Sequence, residues 1–476
     1  MNTKAPIIQQ HELTSKCNNN CRFCYNPERC WQSIAAPRNE DSERNLEVAR
    51  ISIAKGVMAA CPTGGEPLLA GDNLINVLKI YRQAGCYTSI NTNGRLITRE
   101  RAERLSDHGL NSALISLHGV GKLHDSMVGE AGAFTETLAG MANLADSGVR
   151  VMPNFVATAQ NLHGLDAVAR LLLDRGFSAM TVTPFLPSWA APEHEQFILQ
   201  AEHYRRYFQV VKKIASIGMK IDSTLPIPPC VLIKFFPNDW QSHLIALSPR
   251  VCMAGKSFGV VSPDGRFRAC IQAPYLDDYG GDVMKNYDDS WSKANGWAEH
   301  KLLPQECLDC AALPVCGGGC RTSCLWENQG LPEGKTMYMG RPLSDDEAQP
   351  FIERMIVETI SEVAPYEWNA RIMSRQESWG TIVFNPGNQS FCLLSPILAG
   401  YMMAPSLDFQ DQHTTQVLLA VGAIKRSSAH NTETVMAPAE ANVLSANSIL
   451  PRLAGNLQNS LQARQLRADT GERLFF

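Results

Sequence analysis

Fifteen cysteines in 476 residues pose the first question, because a thiolate is both a nucleophile and a ligand for soft metals. They are clustered. Cys17, Cys21 and Cys24 form one knot, and Cys252, Cys270, Cys307, Cys310, Cys316, Cys320 and Cys324 form a second. Three thiolates in a polar loop can wrap one inorganic cluster. A cuboidal four-iron four-sulfur cluster takes four ligands, so three leave one iron open to a substrate. The plainer alternative is a three-cysteine zinc site, since Cys-x2-Cys pairs are common zinc knuckles. Cys30, Cys61, Cys86 and Cys392 belong to neither group and read as small buried hydrophobes.

The rest of the composition narrows the function classes. Lys and Arg number 43 against 47 Asp and Glu, leaving a formal charge of -4 and no global field to attract nucleic acid or anionic lipid. A hydrophobic fraction of 45% with 19% charged residues is that of a globular protein. No uninterrupted run of about twenty apolar residues is present; the longest candidate, Phe391 to Ala404, is broken by Ser395 and Pro396. The first ten residues lack the apolar stretch and cleavage site of a secretory signal. These features place the chain in the cytoplasm, away from membranes, where thiols stay reduced and metal ligation outranks a disulfide framework.

Elements must position those thiols. From Ile7 to about Asp222 short β-branched runs alternate with amphipathic stretches, the pattern of parallel βαβ units. Strands are expected near Ile7–Leu13, Val57–Cys61, Tyr87–Asn91, Ala113–Leu117, Val151–Ala157 and Met180–Pro184. Helices are expected near Leu46–Ile53, Leu74–Gln83, Arg99–Asp107, Phe134–Asp146 and Leu165–Arg175. The reading is an α/β fold: a partial (β/α)6 parallel barrel over 1–223, with its chemistry at the carboxyl edge of the strands. Leu225 to Cys230 is a proline-stiffened linker. An irregular cysteine-rich module follows over 224–344, with a hairpin turning at Pro263-Asp264-Gly265 that brings Cys252 near Cys270. A C-terminal α+β extension, 345–476, opens with an amphipathic helix from Asp345 to Val363. A hairpin turning at Asn385–Asn388 is expected next, then a helix from Pro396.

At the end of the second expected strand stands Thr63-Gly64-Gly65-Glu66-Pro67-Leu68. Two glycines let a backbone approach a ligand closely, and Glu66 offers a carboxylate to an ammonium. The Cys-x3-Cys-x2-Cys knot with Phe23 before its third cysteine, joined to this element, resembles the radical SAM superfamily. The resemblance implies that the open iron chelates S-adenosylmethionine, whose sulfonium is cleaved to a 5′-deoxyadenosyl radical. It also implies that Phe23, Gly64, Gly65 and Glu66 line the cofactor, Glu66 at the methionyl amine. Asn93 in Asn91-Thr92-Asn93-Gly94 and Ser116 in Ser116-Leu117-His118-Gly119 fall where such enzymes contact ribose and methionyl groups. His118 reads as a loop histidine.

The second knot runs Cys252-x12-Gly265-x4-Cys270, then Cys307-x2-Cys310-x5-Cys316-x3-Cys320, then Cys324. Spacing alone fits a zinc ribbon as well as an iron–sulfur site. Beside a radical SAM core it is similar to the SPASM domain, an auxiliary-cluster module. That similarity implies one cluster on Cys252, Cys270 and Cys320, its fourth ligand being Cys230 or missing. It implies a second on Cys307, Cys310, Cys316 and a later cysteine, for which Cys324 stands unusually close. The implied cofactors are S-adenosylmethionine and three 4Fe-4S clusters. The implied partners are a small protein or peptide substrate and a flavodoxin- or ferredoxin-type electron donor. The expected activity is that of a maturase forming thioethers between a Cys sulfur and a carbon within its substrate, with the C-terminal extension docking that substrate. Carbon–carbon crosslinking is the alternative. Formylglycine formation is weakened because Ile271-Gln272 follow Cys270 where that group carries Asp. The non-enzymatic alternative is an iron–sulfur electron carrier or scaffold.

Overall fold

Ile8–Thr14 (β1) is hydrogen-bonded on both sides and is mostly polar between Ile8 and Leu13. His11 and Leu13 are buried on one face, and Gln10, Glu12 and Thr14 share the other. This computed structural model describes residues 3–26, 42–187, 192–246, 252–273, 277–298, 303–323, 341–354, 366–368, 372–378, 380–385, 390–394 and 424–426. Six further strands continue parallel to β1: β2 Ala59–Gly64, β3 Tyr87–Thr92, β4 Ser112–Ser116, β5 Arg150–Ala157, β6 Ala179–Pro184 and β7 Lys220–Asp222.

Helices cover the outer face of this sheet. They are α1 Ser42–Ala54, α2 Asp72–Gln83, α3 Arg99–Asp107, α4 Lys122–Val128, α5 Ala133–Asp146, α6 Leu165–Asp174 and α7 Ala201–Ser216. Each buries an apolar stripe, as α2 does with Leu74, Ile75, Val77, Leu78 and Tyr81. The expected strands are all present within three residues; β7, α4 and α7 were not expected.

The proline-rich segment is no free linker. Leu225 and Ile227, with Val231, Leu232 and Phe235 of α8 (Pro229–Phe235), belong to the main hydrophobic core. The cysteine-rich module then continues the same sheet. Its hairpin, β8 Phe258–Val261 and β9 Arg266–Arg268, turns at Gly265 as expected, with β8 parallel to β1 and β10 (Gly280–Asp282) outermost. The helix α9, Val283–Asn295, is welded to the barrel through buried polar contacts. Tyr287 Oη donates to Gln9 Oε1 at 2.8 Å, and Trp291 Nε1 donates to Thr3 O at 2.5 Å. Trp291, Trp297, Phe267 and Val48 of α1 share one apolar cluster.

The extension begins as expected with a helix, described over Asp345–Arg354; the remainder of the expected helix lies outside the described residues. A short strand, β11 Tyr366–Trp368, pairs with β15 Ile424–Arg426. The expected hairpin is present as β13 Gly380–Asn385 and β14 Ser390–Leu394, with β12 Met373–Glu377 added in front. The helix expected from Pro396 lies outside the described residues. This small sheet stands at the amino ends of the barrel strands. Ile382 and Phe384 cluster with Ile7, Met58, Ala59 and Tyr87, all at strand starts. Arg375 is buried and donates to Ala5 O, Pro6 O, Gly56 O and Glu377 Oε1. These strands pack on the barrel end opposite the cysteine loop.

Replacing Arg375 by Met leaves the buried Glu377 carboxylate without its cation, a loss of about 3 kcal/mol. We expect a lower thermal midpoint, partly restored by adding Glu377→Gln. Reductive cleavage of S-adenosylmethionine at low temperature should be unchanged; its loss would place this sheet in the site instead.

Candidate active site

The loop carrying Cys17, Cys21 and Cys24 leaves β1 at the carboxyl edge and is braced from three directions. The first brace is β2. Gly65 N–H donates to Thr14 O and Glu66 N–H to Lys16 O, both at 2.7 Å. A Cβ on Gly64 would overlap the Thr14 carbonyl and one on Gly65 the Lys16 carbonyl, and Gly64 has φ +129°. The glycines were expected to make room for a ligand. Their first role is to let the β2 turn lie against the backbone that launches the cysteine loop.

The second brace is the turn after β3. Asn93 Nδ2 donates to Asn18 Oδ1 at 2.7 Å and lies 3.9 Å from Cys17 Sγ. Arg95 Nη1 donates to Asn18 O at 2.6 Å and Asn19 Oδ1 at 2.8 Å, while its Nε is held by Glu136 at 2.6 Å. The third brace is α4, where Val128 O accepts from Asn20 N–H at 2.8 Å. Cys17 Sγ also accepts from Asn19 N–H at 3.4 Å, the kind of contact that tunes an iron-bound thiolate.

Glu66 also makes contacts that order the site itself. It is 1% exposed, and its Oε1 accepts from Leu68 N–H at 3.2 Å and Thr92 Oγ1 at 2.7 Å, its Oε2 from Asn93 N–H at 2.8 Å. The carboxylate thus ties the β2 turn to the Asn93 turn. Burial raises its pKa to about 7, against the three hydrogen bonds that lower it. Asn93 is likewise engaged with the cysteine loop. Ser116 ends β4 half-buried, in register with Asn154 of β5.

Phe23 is buried among Met127, Phe185, Phe197 and Ile198, and His118 meets its ring edge-on at 5.0 Å. His118 lies in the loop after β4, as expected, and is buried there. Its Nδ1 accepts from Val156 N–H at 3.2 Å, and the ring stacks on His124. Burial, and then the neighbouring His124, lowers its pKa to about 3, so the imidazole is neutral. Asn26 was missed. Its Nδ2 reaches Glu12 Oε1 at 3.4 Å and Gly64 O at 3.3 Å. Spacing gave no signal for the contacts of either residue, because both act through strands distant in sequence.

Alternate half-buried positions facing the barrel lumen include the polar Gln10, Ser89, Asn91, Ser116, Asn154 and Thr183, interspersed with Leu114, Met152 and Val156. Closed barrels fill this space with bulky branched side chains. Here it offers hydrogen-bonding groups beside the cysteine loop. Cys61 Sγ donates to Asn91 Oδ1 at 3.5 Å, and burial raises this thiol's pKa to about 11.

In the module the thiols fall into two sets, none of them in a disulfide. Cys252 and Cys270 neighbour Cys320, whose pKa burial first and then those two thiols push up to about 12. Cys316 neighbours Cys230, Cys307 and Cys310; burial and then these thiols raise its pKa. Cys230 therefore stands with Cys316, whereas the sequence pattern grouped it with Cys252; Cys324 lies outside the described residues. Cys316 Sγ accepts from Gly318 N–H and Cys310 Sγ from Leu343 N–H, each at 3.2 Å.

The donor sets suit clusters. Arg321, Thr322 and Ser323, directly after Cys320, are at most 2% exposed; the Ser323 hydroxyl is hydrogen-bonded to the Cys320 thiol, while Arg321 Nε and Thr322 Oγ1 have no hydrogen-bond partner among the described residues. Orphaned buried donors beside thiols are the signature of a polar group to be bound there. Among the described residues no three His, Cys, Asp or Glu side chains converge on a single metal ion. Zinc would draw its sulfurs to about 2.3 Å from one point; a cuboidal cluster takes each thiolate at a different iron.

The site and the module meet at Glu12. Its Oε2 accepts from Arg268 Nη2 at 2.5 Å, with both side chains 1% exposed, and Arg268 Nη1 donates to Ile271 O at 2.8 Å. Asn26 stands two residues after Cys24, and Arg268 two before Cys270. One carboxylate thus positions both.

Comparison with known proteins agrees with this arrangement. Residues 11–172 match the model of the Radical SAM superfamily. The chain carries a radical SAM domain. It is thereby an enzyme that uses SAM radical chemistry. The PqqA peptide cyclase of Ruegeria pomeroyi is 26% identical over 334 residues, covering 68% of this chain and 85% of that protein. The AdoMet-dependent heme synthase of Nitratidesulfovibrio vulgaris is 24% identical, covering 65% of this chain and 86% of that protein. The fold is that of Streptococcus suis SuiB bound to S-adenosylmethionine, with a TM-score of 0.52, 18% identity, and 67% and 74% of the two chains covered. It is also that of anSMEcpe with bound AdoMet, with a TM-score of 0.51, 18% identity, and 73% and 96% covered. No helix among the described residues is long and apolar enough to cross a membrane.

The raised pKa of Glu66 gives a pH prediction. A carboxyl whose pKa rises on folding stabilises the fold when protonated, fully below about 4.5, and loses that contribution as pH rises through about 7. Glu66→Gln cannot titrate. Wild type should therefore lose stability relative to Glu66→Gln between pH 4.5 and about pH 7, and keep a constant difference above that, in thermal denaturation. Parallel curves would mean that Glu66 is ionised throughout.

Proposed function

We propose that this radical SAM enzyme is a maturase that crosslinks a small protein or peptide. The observation that carries the reading is the pair of thiol sets, one of them with orphaned donors beside it, attached to the barrel through the sheet that bears the radical SAM loop. An auxiliary centre so placed is an electron acceptor for a substrate radical. The names of similar proteins support a peptide substrate: one is a PqqA peptide cyclase, and SuiB has been solved bound to its precursor peptide SuiA.

Within that class we favour thioether formation on the small subunit of quinohemoprotein amine dehydrogenase. The order of the radical SAM loop, the SPASM-like spacing and a further α+β segment after it is similar in layout to the protein that matures that subunit. Each crosslink replaces one S–H and one C–H bond by a C–S bond. One hydrogen atom leaves with 5′-deoxyadenosine; the other leaves as a proton to solvent and an electron to an auxiliary centre. S-adenosylmethionine supplies the oxidising equivalent when bound at the open iron of the Cys17, Cys21 and Cys24 cluster. Around it, Asn93, Arg95 and Glu66 fix the loop, while Phe23 and its aromatic neighbours keep water away. The two auxiliary clusters, a flavodoxin- or ferredoxin-type donor and a cytoplasmic setting complete the proposal. The heme synthase relative gives the second reading, a small-molecule substrate.

Anaerobic incubation with S-adenosylmethionine and a reductant should release 5′-deoxyadenosine, abolished by Cys21→Ala. Co-expression with the small subunit should lower the subunit's mass by two hydrogens per crosslink, with fragmentation showing Cys sulfur bonded to carbon. An unchanged mass with intact 5′-deoxyadenosine release would remove the peptide assignment and leave the second reading.

A further inference from the structure

Two groups of module thiols differ in number among the described residues. Cys252, Cys270 and Cys320 make three, whereas Cys230, Cys307, Cys310 and Cys316 make four. Cys230 belongs to the second group by position as well as by charge. It lies on α8, before the hairpin, and with Cys310 it packs against the main core.

Pro228, two residues earlier, is pressed against the glycine turn between Cys316 and Cys320, so that a Cβ on Gly319 would come within 2.6 Å of the Pro228 ring. On the far side, the Arg341 guanidinium is near both Cys230 and Cys310. The next segment is pinned there by two contacts, Leu343 N–H on Cys310 Sγ at 3.2 Å and Ala311 N–H on Leu343 O at 3.0 Å. The helix that carries Cys230 is thus flanked by the loop of the other three thiols.

We propose that Cys230 is the fourth thiolate ligand of the auxiliary centre held by Cys307, Cys310 and Cys316. The inference rests on the reading of the module as an iron–sulfur domain. A four-iron cluster needs one ligand per iron, and α8 delivers the missing one from the barrel side. A cysteine following Cys320 is then not required for this centre. The cluster becomes a clasp, because its ligands come from a helix packed in the barrel core and from the module loop. Removing it would loosen the two parts together.

The test uses the full-length, anaerobically reconstituted enzyme. Wild type should carry about 12 irons per chain, three four-iron clusters. Cys230→Ala should lose about four irons, or keep them with one reduced-centre EPR signal replaced by another. Cys324→Ala should leave that centre's signal in place. Cys230→Ser, which keeps the side-chain volume, guards against a folding failure: an oxygen ligand would shift the same EPR signal without lowering secondary structure. The perturbation of the third cluster's EPR signal by added S-adenosylmethionine reports that the barrel is intact. Wild-type iron and an unchanged spectrum in both Cys230 variants overturn the ligand assignment. About four irons in wild type would instead overturn the iron–sulfur reading of the module.

Discussion

Backbone lying on backbone at the ends of β1 and β2 is the constraint on which the site depends. The cysteine loop has no disulfide and no long helix of its own to hold it, so its start is fixed by Gly64 and Gly65 against Thr14 and Lys16. Everything further along inherits that register. Glu66, the next residue, reaches Asn93, and Asn93 and Arg95 reach Asn18 and Asn19 between the first two cysteines. Cysteines held before metal arrives lose less conformational entropy on binding.

The same economy of anchors explains a buried ion pair that stability alone does not. Glu12 and Arg268 each lose their hydration, and a buried pair rarely recovers more than that loss. What the pair supplies here is geometry. It sits on β1, which pairs with β2 on one side and with the β8 hairpin on the other. Tyr287 and Trp291 fix the same edge from the module helix. The relative placement of the radical SAM loop and Cys270 is therefore set by a largely buried network.

Much of this was legible in the sequence. Strand alternation located the barrel, since each strand buries one face against helices, and the Pro-Asp-Gly turn located the hairpin. Roles were less legible than places. Gly64, Gly65 and Glu66 read as ligand contacts, because a motif records which residues occur and not which backbone they touch first. His118 read as a loop histidine, and nothing local shows that Phe23 will cover it. Cys230 was one of two readings for the cluster of Cys252, Cys270 and Cys320, the other being a missing ligand; the fold turns its helix toward Cys316. Spacing predicts ligands within one loop well, but not ligands delivered by another element.

The two ends of the barrel divide the work by polarity. At the amino end, Ile382 and Phe384 of the small sheet extend the apolar floor formed by Ile8, Ala59 and Tyr87, and Arg375 closes the backbone carbonyls that the strand starts leave unpaired. Above that floor the lumen turns polar, through Ser89 and Asn91 on β3, Asn154 on β5 and Thr183 on β6. A substrate rich in amides can exchange its water for such groups at little cost, and an apolar one cannot. The gradient runs from a dry, structural floor to a region beneath the cysteine loop where hydrogen-bonding side chains stand beside Leu114, Met152 and Val156.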